Sequence, residues 1–262
     1  MKKSILSGIL ALAASASGLM AQGAAPAPAA AAGPKQPTPK SQAEVTAIQA
    51  MFSAQQAGPD AIIKAADELL TKFADTEFKE LAYYIQAEAY LQKKDLTKAQ
   101  VIAEQAMALN PKSYQASIML AELITQQTRE NDLDREEKLG KAEKYAKDAI
   151  DNVKDVPKPN PQVTDEQWSE FKKGIAARAH NAIGLANLTR KKYEPAAAEF
   201  KLAADEDPQP AYLVRQASAL QSGGKNAEAA AICDKLLADP QLHPQIKQVA
   251  TQIKTQATAA KK

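Results

Sequence analysis

The chain has 262 residues, with 33 basic and 31 acidic side chains, two histidines and one cysteine. This near balance lacks the concentrated positive field that nucleic-acid phosphates demand, so nucleic acid is excluded as the main partner. The lone thiol, Cys233, excludes an intrachain disulfide, so stability has to come from packing.

The first stretch, "MKKSILSGILALAASASGLMAQ", has two lysines, an apolar run from Ile5 and small residues towards Ala21. That layout predicts a secretory signal peptide over residues 1–21, cleaved near Ala21. An uncleaved inner-membrane anchor is the alternative, although the run is short and weakly apolar for a span. Removing Lys2 and Lys3 from the 33 basic residues leaves 31 against 31 acidic, a net charge of zero. Residues 22–40, "QGAAPAPAAAAGPKQPTPK", cannot form a core and are expected to be a disordered, extended spacer.

From Ser41 the chain reads as all α. Ser41 with Glu44 fits a capping box. Strong helix formers dominate, strand-like alternation is missing, and breaks fall at Gly58-Pro59, Asn110-Pro111, the "VPKPNP" run from Val156, Asp207-Pro208, Gly223-Gly224, Asp239-Pro240 and His243-Pro244. This punctuation predicts about eleven helices. Within them a pattern repeats. Tyr83, Ala87 and Tyr90 are followed by Ala99, Ala103, Ala106 and Pro111. His180, Gly184 and Asn187 are followed at identical spacing by Ala196, Phe200, Ala203 and Pro208. A third copy holds Ala217, Leu220, Ala229, Cys233, Leu236 and Pro240. A fourth, with nine extra residues between its halves, holds Ser117, Ala121, Ile124, Ala142, Ala146 and Ala149. A weaker first copy holds Ala50, Ala54, Ala57, Ala66, Leu70 and Phe73. Positions three and four apart share a helix face, and alanine or glycine there lets helices approach closely. A period near 34 residues with paired helices is that of a helical solenoid.

"YYIQAEAYLQKKDLTKAQVIAEQAMALNP" and "HNAIGLANLTRKKYEPAAAEFKLAADEDP" resemble tetratricopeptide repeats. Tyr83 and His180 stand where that family usually has tryptophan. Ala87 and Gly184 match its glycine, Tyr90 its aromatic, Ala99, Ala106, Ala196 and Ala203 its alanines, and Pro111 and Pro208 its proline. Asn187 departs from the aromatic. The resemblance implies an α-solenoid of stacked antiparallel helix pairs over residues 41–262. Its repeats are expected at about 43–75, 77–111, 112–153 with the insertion, 164–208 and 209–240, closed by a capping helix over 244–259. In that helix Ile246, Val249, Ile253 and Ala257 form the expected apolar stripe. A partner-binding helix is the alternative reading of the same stripe.

The search for chemistry returns little. The sequence has no nucleophile elbow, phosphate loop or HExxH, and two histidines do not make a His-rich metal site, so neither enzyme activity nor a cofactor or metal is expected. His180 falls at a packing position, His243 at a helix start, and Cys233 at a small buried position where an inert thiol is expected. The family implies a concave groove lined by the first helix of each repeat. By register that wall comprises Leu81, Tyr84, Glu88, Leu91 and Gln92, with Gln115, Ile118, Glu122 and Gln126. It continues through Arg178, Asn181, Leu185 and Leu188 to Val214, Ser218 and Gln221. The family's Lys/Asn clamp for a terminal carboxylate is rejected, since only Arg178 and Asn181 approach it. Trp168 follows a capping box of Thr164 and Gln167 and shares a face with Phe171 and Ile175. It is expected either to pack near Tyr145 or to anchor an interface. The expectation is an exported, periplasmic, non-catalytic scaffold or adaptor that binds a protein or peptide through this groove in the bacterial envelope. The alternative is an architectural spacer or assembly subunit of an envelope complex.

Overall fold

Ser41 starts the first helix by accepting the Glu44 N–H on its hydroxyl at 3.1 Å. The Glu44 carboxylate does not return to Ser41 as a reciprocal box would. It accepts the Lys40 N–H at 2.6 Å and the Thr76 hydroxyl at 2.6 Å, and so ties the helix start to a later turn. This computed structural model describes residues 37–259. The expected signal peptide and most of the expected spacer lie outside the described residues.

The described chain is built from α1 (Gln42–Ser53), α2 (Pro59–Lys72), α3 (Lys79–Gln92), α4 (Leu96–Leu109), α5 (Tyr114–Gln127), α6 (Arg135–Lys154), α7 (Asp165–Thr189), α8 (Tyr193–Glu206), α9 (Pro210–Ser222), α10 (Asn226–Leu237) and α11 (Pro244–Ala259). Each helix packs on the next in the chain, and α7 also packs on α5, and α11 on α9. The result is an all-α solenoid of sequential hairpins, capped by α11. Ala99, Ala142, Ala196 and Ala229 are all enclosed, at 0–1% exposure, which puts the four second helices in one register.

The turn between paired helices is the same in three units. Lys94 (φ 60°), Lys191 (φ 58°) and Gly224 (φ 80°) each stand seven residues after the small first-helix position and adopt the left-handed conformation. Asp95, Lys192 and Lys225 then donate their N–H back to Tyr90, Asn187 and Leu220 carbonyls at 3.0, 2.9 and 2.8 Å. At the matching place in the interrupted unit, Thr128 has φ −82°. The chain there runs on as a loop to Asp134, and α6 gains a turn at its N-terminus. The nine extra residues are thus divided between loop and helix.

Two registers differ from expectation. In the first unit, α1 buries Glu44, Ile48 and Met51, while Ala50 and Ala57 are exposed. The Ser41-capped helix gives way to a 3-10 turn over Ala54–Gln56, and its inward face is set by the larger Ile48 and Met51. In α11 the inward face carries Ile246, Ala250, Ile253 and Ala257, and Val249 is 42% exposed. The i, i+4, i+7, i+11 spacing follows the straight helix surface more closely than the stripe through Val249.

Candidate functional site

Side chains from α3, α5, α7 and α9 come together along the expected wall. Tyr84 is 9% exposed, and its hydroxyl donates to the Glu88 carboxylate, one turn along α3, at 2.6 Å. Glu122 on α5 receives both arms of the Arg178 guanidinium from α7, at 2.8 and 2.6 Å. This bidentate geometry fits the planar fork of arginine. Arg178 and Glu122 keep 43% and 35% of their side chains open to water, so the pair is not enclosed in the core. Asn181, one turn beyond Arg178, accepts a hydrogen bond from Arg215 on α9 at 2.7 Å.

Electrostatics couple these groups. Burial pushes the Glu88 carboxyl above its ordinary range, against the Tyr84 hydrogen bond and the nearby Arg178 charge, which pull it down. Burial and the Glu88 charge together hold the Tyr84 phenol far above its usual value. Burial likewise raises Tyr114 to about 12. Burial opposes the Arg178 charge, but the Glu122 hydrogen bonds and charge outweigh it and hold the guanidinium above its ordinary value. Tyr212, 6% exposed on α9, is raised by burial and feels Glu122, Arg178 and Arg215.

Other members of the expected wall fall into three groups. Gln115, Leu185, Val214 and Ser218 are half-buried, as is Leu91, which borders the N-terminal core cluster. Gln92 and Gln126 are exposed. Ile118, at 2% exposure, is enclosed in the cluster with Ala146, Ala179 and Ile183, because α7 lies directly against α5 and covers it. It supports the wall from behind and offers no surface to a ligand.

Two wall residues escaped the sequence reading, Tyr212 and Arg215. Their signal was available. Tyr212 holds a register position filled by Ala82, Ala116 and Ala179 in the other units, and Arg215 one filled by Ile85, Met119 and Ala182. Those six residues are all buried. Tyr212 is enclosed with Ala177 and Ala203, whereas an arginine where the fold otherwise wants an apolar side chain marks a departure from pure packing.

Trp168 lies on the long N-terminal part of α7, whose start carries the full capping box of Thr164 and Gln167. Its indole N–H donates to the Val156 carbonyl at 3.0 Å. The ring stacks on Phe171 with centroids 4.8 Å apart, and Phe171 meets Tyr114 edge-on at 6.1 Å. Tyr145 borders the same cluster as Phe171. Lys172 Nζ lies 5.8 Å from the Trp168 ring centroid. His180 pairs its Nδ1 with Glu199 on α8 at 2.8 Å. His243 Nδ1 accepts the Gln245 N–H at 3.3 Å at the start of α11. Cys233 is buried, and burial pushes its thiol up, away from the reactive thiolate. A separate cleft of about 580 Å³ between α4 and α6 is lined by Gln100, Glu104, Lys141 and Tyr145 among others. Among the described residues no group of His, Cys, Asp and Glu could hold a metal ion, and no helix is long and apolar enough to cross a membrane.

No protein-family model and no curated protein matches this chain. Solved structures do. TTC0263, a thermophilic tetratricopeptide-repeat protein of Thermus thermophilus, matches at TM-score 0.53 and 18% identity, covering 80% of this chain and 98% of its own. MamA from Desulfovibrio magneticus RS-1 (residues 41 to the end) matches at TM-score 0.57 and 13% identity, covering 81% and 97%. PilF of Pseudomonas aeruginosa matches at TM-score 0.55 and 14% identity, covering 84% and 88%. At such identities the likeness is one of architecture. The stacked helix pairs are those of the tetratricopeptide-repeat fold.

Proposed function

We propose that this protein is a non-catalytic scaffold that binds a protein or peptide along the inner wall of α3, α5, α7 and α9. The observation that carries this reading is the Glu122–Arg178 pair with its neighbours. Charged side chains from successive units are held in fixed positions, yet remain partly open to solvent. A wall that is already ordered loses little conformational entropy when a flexible segment settles on it. The exported, periplasmic setting in the bacterial envelope rests on the layout of residues 1–21 and is part of the same proposal.

Site-specific photo-crosslinking in the native cells tests it. A photoreactive residue at Gln126 or Ser218 on the wall is expected to trap a discrete partner, and the same residue at the exposed Val101 of α4 is not. Adducts from Val101 alone, or none from the wall, would turn the assignment towards the architectural spacer. N-terminal sequencing of the mature protein from a periplasmic extract is expected to begin near Gln22.

A further inference from the structure

The ionic groups of the inner wall do not all compensate one another. Arg178 commits both arms to Glu122, so the middle of the wall is an internally neutral pair. On the α3 side, one oxygen of Glu88 accepts the Tyr84 hydroxyl, and no cation hydrogen-bonds to the carboxylate among the described residues. Burial raises its pKa in spite of the Tyr84 hydrogen bond and the nearby Arg178 charge. On the α9 side, Arg215 donates to the neutral amide of Asn181, and no carboxylate pairs with it among the described residues. The guanidinium stands at a position that is apolar in three other units, so the folding register alone does not account for it. The wall is therefore negative at α3, neutral across α5 and α7, and positive at α9.

A partly enclosed, uncompensated charge is costly, and a ligand group of opposite sign removes that cost. Tyr84, enclosed behind Glu88, fixes the carboxylate through its hydroxyl. We propose that the wall reads charge direction. It takes an extended partner segment with a lysine or arginine against Glu88 and an aspartate or glutamate against Arg215. This inference rests on the groove-binding function proposed above and specifies its ligand. It also fixes the orientation of the bound chain, since a segment of reversed charge order would bring like charges together at both ends.

The test is selection of a displayed library of random twelve-residue peptides on the full chain, followed by sequencing. Enriched peptides are expected to carry a basic and an acidic residue at a constant separation and in one order. With Glu88→Gln the basic preference disappears. With Arg215→Glu the acidic position turns basic, and binding of an enriched peptide weakens about tenfold or more, the loss of one charged contact. Exchanging the peptide's acid for lysine then restores binding to the Arg215→Glu protein, a rescue that an unfolded variant could not give. Two results overturn the inference: enriched peptides without a charge order, or an acidic preference that survives Arg215→Glu. If no peptide is enriched, or if substituting Gln126 and Ser218 leaves every enriched peptide bound, the groove-binding function itself fails, and this inference with it.

Discussion

At the scale of single residues, the helix contact in the fourth hairpin is a matched pair of extremes. A Cβ added at Gly184 would stand 2.6 Å from Cε1 of Phe200, a ring that is fully enclosed. The corresponding pairs elsewhere are Ala87 with Ala103, Ala121 with Ala146 and Ala217 with Cys233, small against small. Gly184→Ala is therefore expected to cost about 1–3 kcal/mol through overpacking, despite alanine's better helix propensity. Urea unfolding would measure it, and Phe200→Leu in the same chain should recover most of the loss. Glu88 gives a second prediction. Its folded-state pKa lies above the unfolded one, so the native state holds the extra proton between the two values. Stability falls as pH rises through that window, from about 4.3 upward, and stays reduced beyond it. Glu88→Gln keeps the acceptor for Tyr84 and cannot ionise. It should melt higher than the parent at pH 7, with the gap closing at about pH 3. The sequence made Gly184 legible as a helix-contact glycine and Glu88 as a wall residue. It could not reveal that Ile118, on the same register as Tyr84, is covered by α7, because register gives a direction and not the height of the neighbour above it.

At the scale of elements, the turn between paired helices recurs with one conformation and three occupants. Lysine at φ 60° and 58° pays a steric penalty that glycine at φ 80° does not. Lys94→Gly is thus expected to raise stability by up to about 1 kcal/mol, read as a shift of the denaturation midpoint. Lys94 is the cleaner site, because Lys191 also pairs with Glu130 at 2.5 Å. The sequence located these turns through the constant spacing between Ala87 and Ala99 and between Gly184 and Ala196. The first unit was the hardest element to read. Alanine at residues 50, 54 and 57 matched the pattern, but alanine buries little area and yields to Ile48 and Met51. The long α7 was legible from the Thr164 cap and the unbroken run to Thr189.

At the scale of the whole molecule, the insertion turns out to be a brace. Arg190, at the end of α7 with a side chain 9% exposed, pairs with Glu136 at 2.7 Å and also with Glu143, both on α6. Lys191 reaches Glu130 in the preceding loop, and Lys138 holds Asp134 at 2.9 Å. Nothing in the spacing of the repeats foretold this, since the acidic run reads as a solvated face until the next turn is placed over it. Arg190→Ala should cost about 1–2 kcal/mol, less than a fully buried network because Glu136 is mostly exposed. Amide hydrogen exchange should quicken through residues 129–139 and the turn after α7, and stay unchanged in α3 and α4. Equal loss of protection in α3 would mean that the hairpins do not behave as neighbours coupled only to neighbours.

Because each helix leans on those beside it in sequence, with α5–α7 and α9–α11 the next-nearest ties, a pull on the two ends of the chain would meet its interfaces in series. The molecule would lengthen in steps, shedding one hairpin at a time, and each step would be recovered when the tension is released. Such a chain would behave as an extensible spring between whatever holds its two ends.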